Sequence, residues 1–344
     1  MAQKFRGRKL AVESNINMEL AEIFTDNMVF QANKPLRFWG RGSGNISVTL
    51  HDKTYKKECL EGKWVMELPS QSYGGPFDIL LELQGEKTVL KNIAFGDVFL
   101  CAGQSNMQFT IAEEKGACTI MDNNRIRYFV SDRIEQYTGQ KSADGWKICK
   151  NEEVGTWSAL ALHIAENYQK KKNVFVGIVG CFQGASVIRS WIPEKYLDES
   201  VYISMEERHI DSIKPKYSAW NSDSILYKKT FLPITPFSFK SVIWYQGESN
   251  TTVAESRVYT SLLSKLIFSW REALRDEELS FVIVEICDFD ERNDEGWRSI
   301  QRCQKTVGKI VPNVIIVTSK DVCEHNHIHP QNKERLAEKI FCLL

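Results

Sequence analysis

Four short turns, far apart in the chain, carry side chains able to cleave an ester. The first is Gly103-Gln104-Ser105-Asn106-Met107, directly after the apolar run Val98–Cys101. A serine hydroxyl at a strand-to-helix turn can attack a carbonyl if a neighbouring base takes its proton. The free N–H groups of the helix start can then hold the developing negative charge. A serine there can equally be a plain helix cap. The pattern is not the G-x-S-x-G elbow, because Met107 stands where that motif has its second glycine.

The second turn is Gln183-Gly184-Ala185-Ser186, where a glycine lets a backbone N–H approach a ligand or simply allows a tight bend. The third is Trp244-Tyr245-Gln246-Gly247-Glu248-Ser249-Asn250. Its Gln246 amide could donate to an oxyanion, its Glu248 carboxylate could orient a histidine, or the segment could be a solvated loop. Trp244 and Tyr245 read as core. The fourth is His325-Asn326-His327-Ile328-His329-Pro330. Pro330 suits a first helical position, which would put His329 at the mouth of a closing helix. His-x-His-x-His also has a metal reading, but no cysteine or carboxylate cluster with ligand spacing accompanies it. His325 and His327 read as surface or hydrogen-bonded residues and His163 as structural, while His51 and His209 carry no signal.

The surrounding pattern tells which elements would bring these turns together. From about Met18 to Phe95, short strand-like runs (Leu36–Trp39, Ile46–Leu50, Trp64–Leu68, Phe77–Leu83) alternate with turn signals, the mark of a small β-sandwich. From Gly96 on, strands alternate with helices. Val98–Cys101, Val174–Val179, Val242–Tyr245, Phe281–Ile286 and Val314–Val317 read as strands, with helices at 158–172, around 258–274 and at 334–343. Such alternation predicts an α/β fold, a mostly parallel sheet with helices on both faces. Ligands bind at the carboxyl ends of such strands, where all four turns fall. The expected organisation is a tail (1–17), a β-sandwich domain (18–95) and a catalytic domain (96–344). The order Ser, Glu, His also matches a triad order seen in α/β hydrolases.

These blocks resemble the SGNH (GDSL-like) hydrolase superfamily, and within it the sialate O-acetylesterase and acetylxylan-esterase-like family. Residues 96–107 (GDVFLCAGQSNM) resemble its nucleophile block, 244–250 (WYQGESN) its third block, and 328–333 (IHPQNK), followed by Arg335-Leu336-Ala337, its histidine block. The front segment, with Asp26-Asn27-Met28-Val29-Phe30-Gln31, Pro35 and Trp39-Gly40, resembles its N-terminal β-domain. The resemblance implies a flavodoxin-like catalytic sheet and hydrolysis of acetyl esters on sugar hydroxyls, without metal or organic cofactor. It implies Ser105 as nucleophile and His329 as general base and acid. The Ser105 N–H, Gly184 N–H and Gln246 amide would form the oxyanion hole. Two positions depart from the family. Asn326 stands where many relatives have an aspartate three residues before the histidine, which makes Glu248 the expected third member and Asp321 the reserve. Gln183 stands where relatives often have a second glycine. Gln104, Asn250, Arg189 and Trp191 are the expected sugar contacts.

Lys+Arg and Asp+Glu both number 44, so the chain is neutral and gives no electrostatic reason for a nucleic-acid or membrane partner. Hydrophobic residues at 43 % suffice for a sizeable core. No apolar run approaches a membrane span, and Met1–Ile23 lacks the apolar stretch of a signal peptide, so a cytoplasmic location is expected. The nine cysteines, an odd number without a C-x-x-C pair, read as reduced thiols. Oligomerisation with a second copy stays open. Two other functions fit less of the pattern: a carbohydrate-binding protein with weakened catalysis, and a metal hydrolase using the clustered histidines. An acetylxylan esterase is the alternative within the same chemistry.

Overall fold

The structure, a computed structural model, describes residues 19–60, 62–116, 120–134, 145–208, 215–292 and 294–344. The tail 1–17 and His209 lie outside the described residues. The front part contributes β1 (Glu19–Leu20), β2 (Val29–Gln31), β3 (Leu36–Arg41), β4 (Gly44–Leu50), β5 (Lys53–Cys59), β6 (Lys63–Leu68) and β7 (Gly74–Leu83). β1, β3 and β6 form one antiparallel sheet. β5, β4 and β7 form an antiparallel ladder that continues onto the 18-residue β8 (Glu86–Gly103). In β4 the alternation is plain: Ile46, Val48 and Leu50 are buried while Ser47 and Thr49 are half-buried. Among the described strands β5 (KTYKKEC) pairs with β4 alone and is mostly exposed, so it lacks the apolar alternation that marks a half-buried strand in sequence.

The expected change at Gly96 falls inside a strand. The first half of β8 pairs with β7 and, in parallel, with β2. Its second half is the middle strand of a mostly parallel sheet. There it pairs in parallel with β11 (Val176–Phe182) and β12 (Ser241–Tyr245). β9 (Asn123–Val130) and the antiparallel edge β10 (Lys147–Cys149) lie beyond β11, while β13 (Ser280–Val284) and β14 (Val314–Val317) lie beyond β12. The strands that follow β8 flank it on both sides, β11 on one and β12 on the other, which opens a crevice at its carboxyl end. The unbroken burial of the second half of β8, of β11 and of β12 is what parallel strands covered on both faces require.

Helices cover both faces. They are α1 (Ser105–Gln108), α2 (Ala159–Lys172), α3 (Pro215–Asn221), α4 (Val253–Leu274), α5 (Glu295–Ile310) and α6 (Glu334–Phe341). Phe99 of β8 packs edge-on against Tyr168 of α2, and Tyr168 against Phe341 of α6. Trp244 of β12 packs against Trp270 of α4. Since Trp244 lies opposite Ala102 in the register, and Phe99 is odd-numbered where Ala102 is even, the two helix layers lie on opposite sides. α2 starts on Ser158, whose hydroxyl accepts from the Ala161 N–H at 3.2 Å, and ends with Lys170–Lys172 against its negative pole. α5 was not expected from sequence. Its burial is periodic (Trp297, Ile300, Gln301, Gln304, Val307), and two of those inward residues are glutamines, which dilutes the apolar stripe. Among the described residues no helix is long and apolar enough to cross a membrane, and eight cysteines are free.

Candidate active site

The carboxyl end of β8 delivers Ser105 as the first residue of α1. The turn depends on Gly103: its φ is +140°, and a Cβ there would lie 2.0 Å from the Tyr245 carbonyl oxygen of β12. Ser105 is half-buried, and its Oγ lies 2.8 Å from His329 Nε2. Serine and histidine, 224 positions apart, thus meet at hydrogen-bonding distance. His329 is not at a helix mouth. α6 begins only at Glu334, and the segment carrying His329 and Pro330 is irregular backbone. Burial holds the imidazole's proton affinity below its ordinary value, the Lys333 cation lowers it further, and the Glu113 carboxylate partly offsets both. The ring is therefore neutral and able to accept a proton.

Gly184 lies against the nucleophile: a Cβ at Gly184 would come 3.7 Å from Ser105 Cβ. Its N–H donates to Gln108 Oε1 at 2.8 Å. The Gln246 amide is committed elsewhere. It is fully buried and donates to the Ser186 carbonyl and to Asn250 Oδ1, which uses both of its hydrogens. In this structure Gln246 braces the loops, with both amide hydrogens engaged.

Neither expected carboxylate reaches His329. Asp321 is exposed and paired with Lys339 of α6 at 2.6 Å. Glu248 is buried, and its Oε1 accepts from Asn106 Nδ2 at 2.6 Å. The same Asn106 amide donates to the Ile328 carbonyl at 3.0 Å, one residue before the histidine. Asn106 Oδ1 in turn accepts from Lys333 Nζ at 2.7 Å. Burial lifts the Glu248 carboxyl above its usual range and pushes the Lys333 ammonium down to about 8. Asn326 is exposed. His325 bonds the Lys320 carbonyl while His329 faces Ser105, and among the described residues no three histidine, cysteine or acidic side chains gather as metal ligands would.

The four expected sugar contacts are all buried braces. Gln104 holds the third turn, donating to Ser249 Oγ and accepting from the Gly247 and Ser249 N–H groups. Asn250 Oδ1 accepts from the Ile188 N–H. Arg189 forms a two-pronged pair with Asp223 and donates to the Val201 carbonyl. Trp191 has no exposed surface and sits edge-on to Trp244 and Trp270. Trp244 and Tyr245 are core, as expected. The residues that do surround the pair, Asn106, Gln108 and Lys333, stand within or beside the matched blocks. Asn106 adjoins the nucleophile and Lys333 closes the histidine block, and those positions were the signal that could have singled them out.

Comparison with known proteins places the chain among carbohydrate esterases. A family model described as carbohydrate esterase, sialic acid-specific acetylesterase, matches residues 95–341. Sialate O-acetylesterase from Homo sapiens is 24 % identical over 95 % of this chain and 70 % of its own length. The Mus musculus enzyme of the same name is 23 % identical over 96 % of this chain and 74 % of its own. The crystal structure of a carbohydrate acetylesterase from Xanthomonas citri superposes with a TM-score of 0.80 at 24 % identity, covering 93 % of this chain and 73 % of that one, and so has the same fold. With its model spanning the whole catalytic sheet and both members of the Ser105–His329 pair, the chain belongs to the carbohydrate esterase family of sialic acid-specific acetylesterases.

Proposed function

We propose that this protein hydrolyses acetyl esters on sugar hydroxyls through an acetyl-enzyme on Ser105, with a sialate ester as the first substrate to test. The 2.8 Å contact between Ser105 Oγ and a neutral His329 Nε2 at the mouth of the crevice carries this reading. His329 takes the hydroxyl proton as Oγ attacks the acetyl carbonyl. The tetrahedral oxyanion is received by the backbone N–H groups of Ser105, at the start of α1, and Gly184. The Gly184 donor exchanges Gln108 Oε1 for the substrate oxygen. His329 then gives its proton to the departing sugar oxygen, and water releases acetate by the reverse steps. No protein carboxylate bonds the imidazole among the described residues; Glu248 acts on it through Asn106 and the Ile328 carbonyl. We also take the strands before β8 to be the small β-sandwich domain expected from sequence, supported by their two antiparallel sheets.

The test is acetate release from a panel of acetylated sialosides and xylo-oligosaccharides, beside p-nitrophenyl acetate. Ser105→Ala and His329→Ala should each abolish hydrolysis while circular dichroism stays that of the parent. A Ser105→Ala protein that keeps most of its activity ends the nucleophile assignment. Release from xylo-oligosaccharides alone would move the substrate to acetylxylan.

A further inference from the structure

Directly beneath the Ser105–His329 pair lies a polar network that the chemical steps do not touch. It joins three parts of the chain: α1, the turn after β12, and the segment leading into α6. Lys333 has no exposed surface, and its ammonium lies 4.8 Å from the centre of the Phe109 ring and 5.9 Å from that of Tyr245. Its backbone N–H donates to Glu114 Oε1 at 2.7 Å. A lysine this deep is costly to the fold unless its proton donors are used.

The chemistry of the three side chains allows only one arrangement. An ammonium has donors only and a carboxylate acceptors only. Asn106, placed between Lys333 and Glu248, must turn its oxygen to the lysine and its NH2 to the glutamate. That orientation also aims the second amide hydrogen at the Ile328 carbonyl. Asn106 is covalently next to Ser105, and Ile328 next to His329. We propose that Lys333 is a positioning residue of this site: its buried ammonium fixes the orientation of Asn106, and through Asn106 the spacing between nucleophile and base. The assignment rests on the Ser105–His329 reading above. Without the ammonium, the amide can rotate, the Ile328 carbonyl loses its donor, and the histidine segment is free to drift.

The charged or titratable groups facing His329 are Ser105 at the start of α1, Glu113 from the short helical turn after it, Lys333 on its own segment, and Glu248 through Asn106. Removing the Lys333 charge takes away a cation that disfavours the imidazolium. The experiment measures kcat and KM for p-nitrophenyl acetate across pH in the parent, Lys333→Met, Lys333→Met with Glu248→Gln, and Ser105→Ala. For Lys333→Met, kcat should fall about a hundredfold, the loss typical of a small misplacement of reacting groups, with KM little changed. The acid limb of kcat/KM should move to higher pH, a change that a merely structural lysine would not cause. The double variant, which leaves no unbalanced buried carboxylate, should recover part of the loss. Should Lys333→Met not fold, the double variant supplies the same two readings, a lowered kcat and a displaced acid limb. Near-parental kcat and an unmoved acid limb in Lys333→Met, or in the double variant if only that one folds, overturns the proposal. Activity persisting in Ser105→Ala would instead bring down the catalytic reading beneath it.

Discussion

His163 offers a stability test whose sign and size follow from its surroundings. It sits in α2 with 3 % of its side chain exposed, its Nε2 2.8 Å from Glu114 and its Nδ1 3.4 Å from Glu166. Burial opposes a charge there, but the hydrogen bonds and charges of the two glutamates together outweigh it and lift the imidazole from 6.5 to about 9. Each tenfold change in proton affinity is worth about 1.4 kcal/mol, so the protonated ring stabilises the fold by about 3 kcal/mol. A raised folded value means the stabilisation is whole below pH 6.5 and is lost as pH climbs through about 9. Urea unfolding of the parent and of His163→Gln, followed by tryptophan fluorescence at several pH values, isolates this contribution, because other titrations cancel in the difference. The gap between the two proteins should be widest near pH 6 and shrink by about 3 kcal/mol by about pH 10. A gap that does not vary with pH would show that His163 is neutral in the folded protein and that the Glu114 contact is an ordinary hydrogen bond.

Three further substitutions separate braces from chemistry. Trp191→Ala should cost about 3–5 kcal/mol of stability, the usual range for emptying a buried aromatic site. In urea titrations its midpoint should drop sharply, whereas a lost sugar contact would raise KM on acetylated sugars and leave the midpoint in place. Asp321→Asn should leave p-nitrophenyl acetate turnover near that of the parent, since its partner is the surface Lys339, while Glu248→Gln should lower kcat. Equal losses in the two would return Asp321 to the site.

The parts of the site that could be read from sequence are those set by local pattern. A buried parallel strand announces itself as an apolar run, and the polar turn after it must lie at the sheet edge, so Ser105, Gly184 and His329 were found together. What could not be read is where a polar side chain spends its hydrogen bonds. Gln104, Gln246, Asn250 and Arg189 look like exposed ligands in a polar turn, yet each is buried and hydrogen-bonded to backbone or side-chain groups of other segments. Glu248 has the right chemistry to orient a histidine, but a neighbouring amide stands between them. Trp191 carries no sequence mark that distinguishes a sugar platform from a core wedge. In the fold, β5 and α5 carry no clear sequence mark, because edge exposure and inward glutamines blur the periodicities that mark β4 and α4.

The long β8 strand has a consequence for how such an enzyme can be taken apart. Gln31 of β2 accepts from the Val98 N–H and donates to Asp97, and the buried Asp97 carboxylate also binds the hydroxyls of Tyr73 and of Tyr168 in α2. A gene cut at codon 96 would therefore not free a self-sufficient hydrolase. It would sever the strand that aims the serine and strip Asp97 of two of its three hydrogen-bond donors. Recombination that treats the front region as an exchangeable cassette must carry the crossover past Gly103, or bring a replacement that supplies the same glutamine and tyrosine.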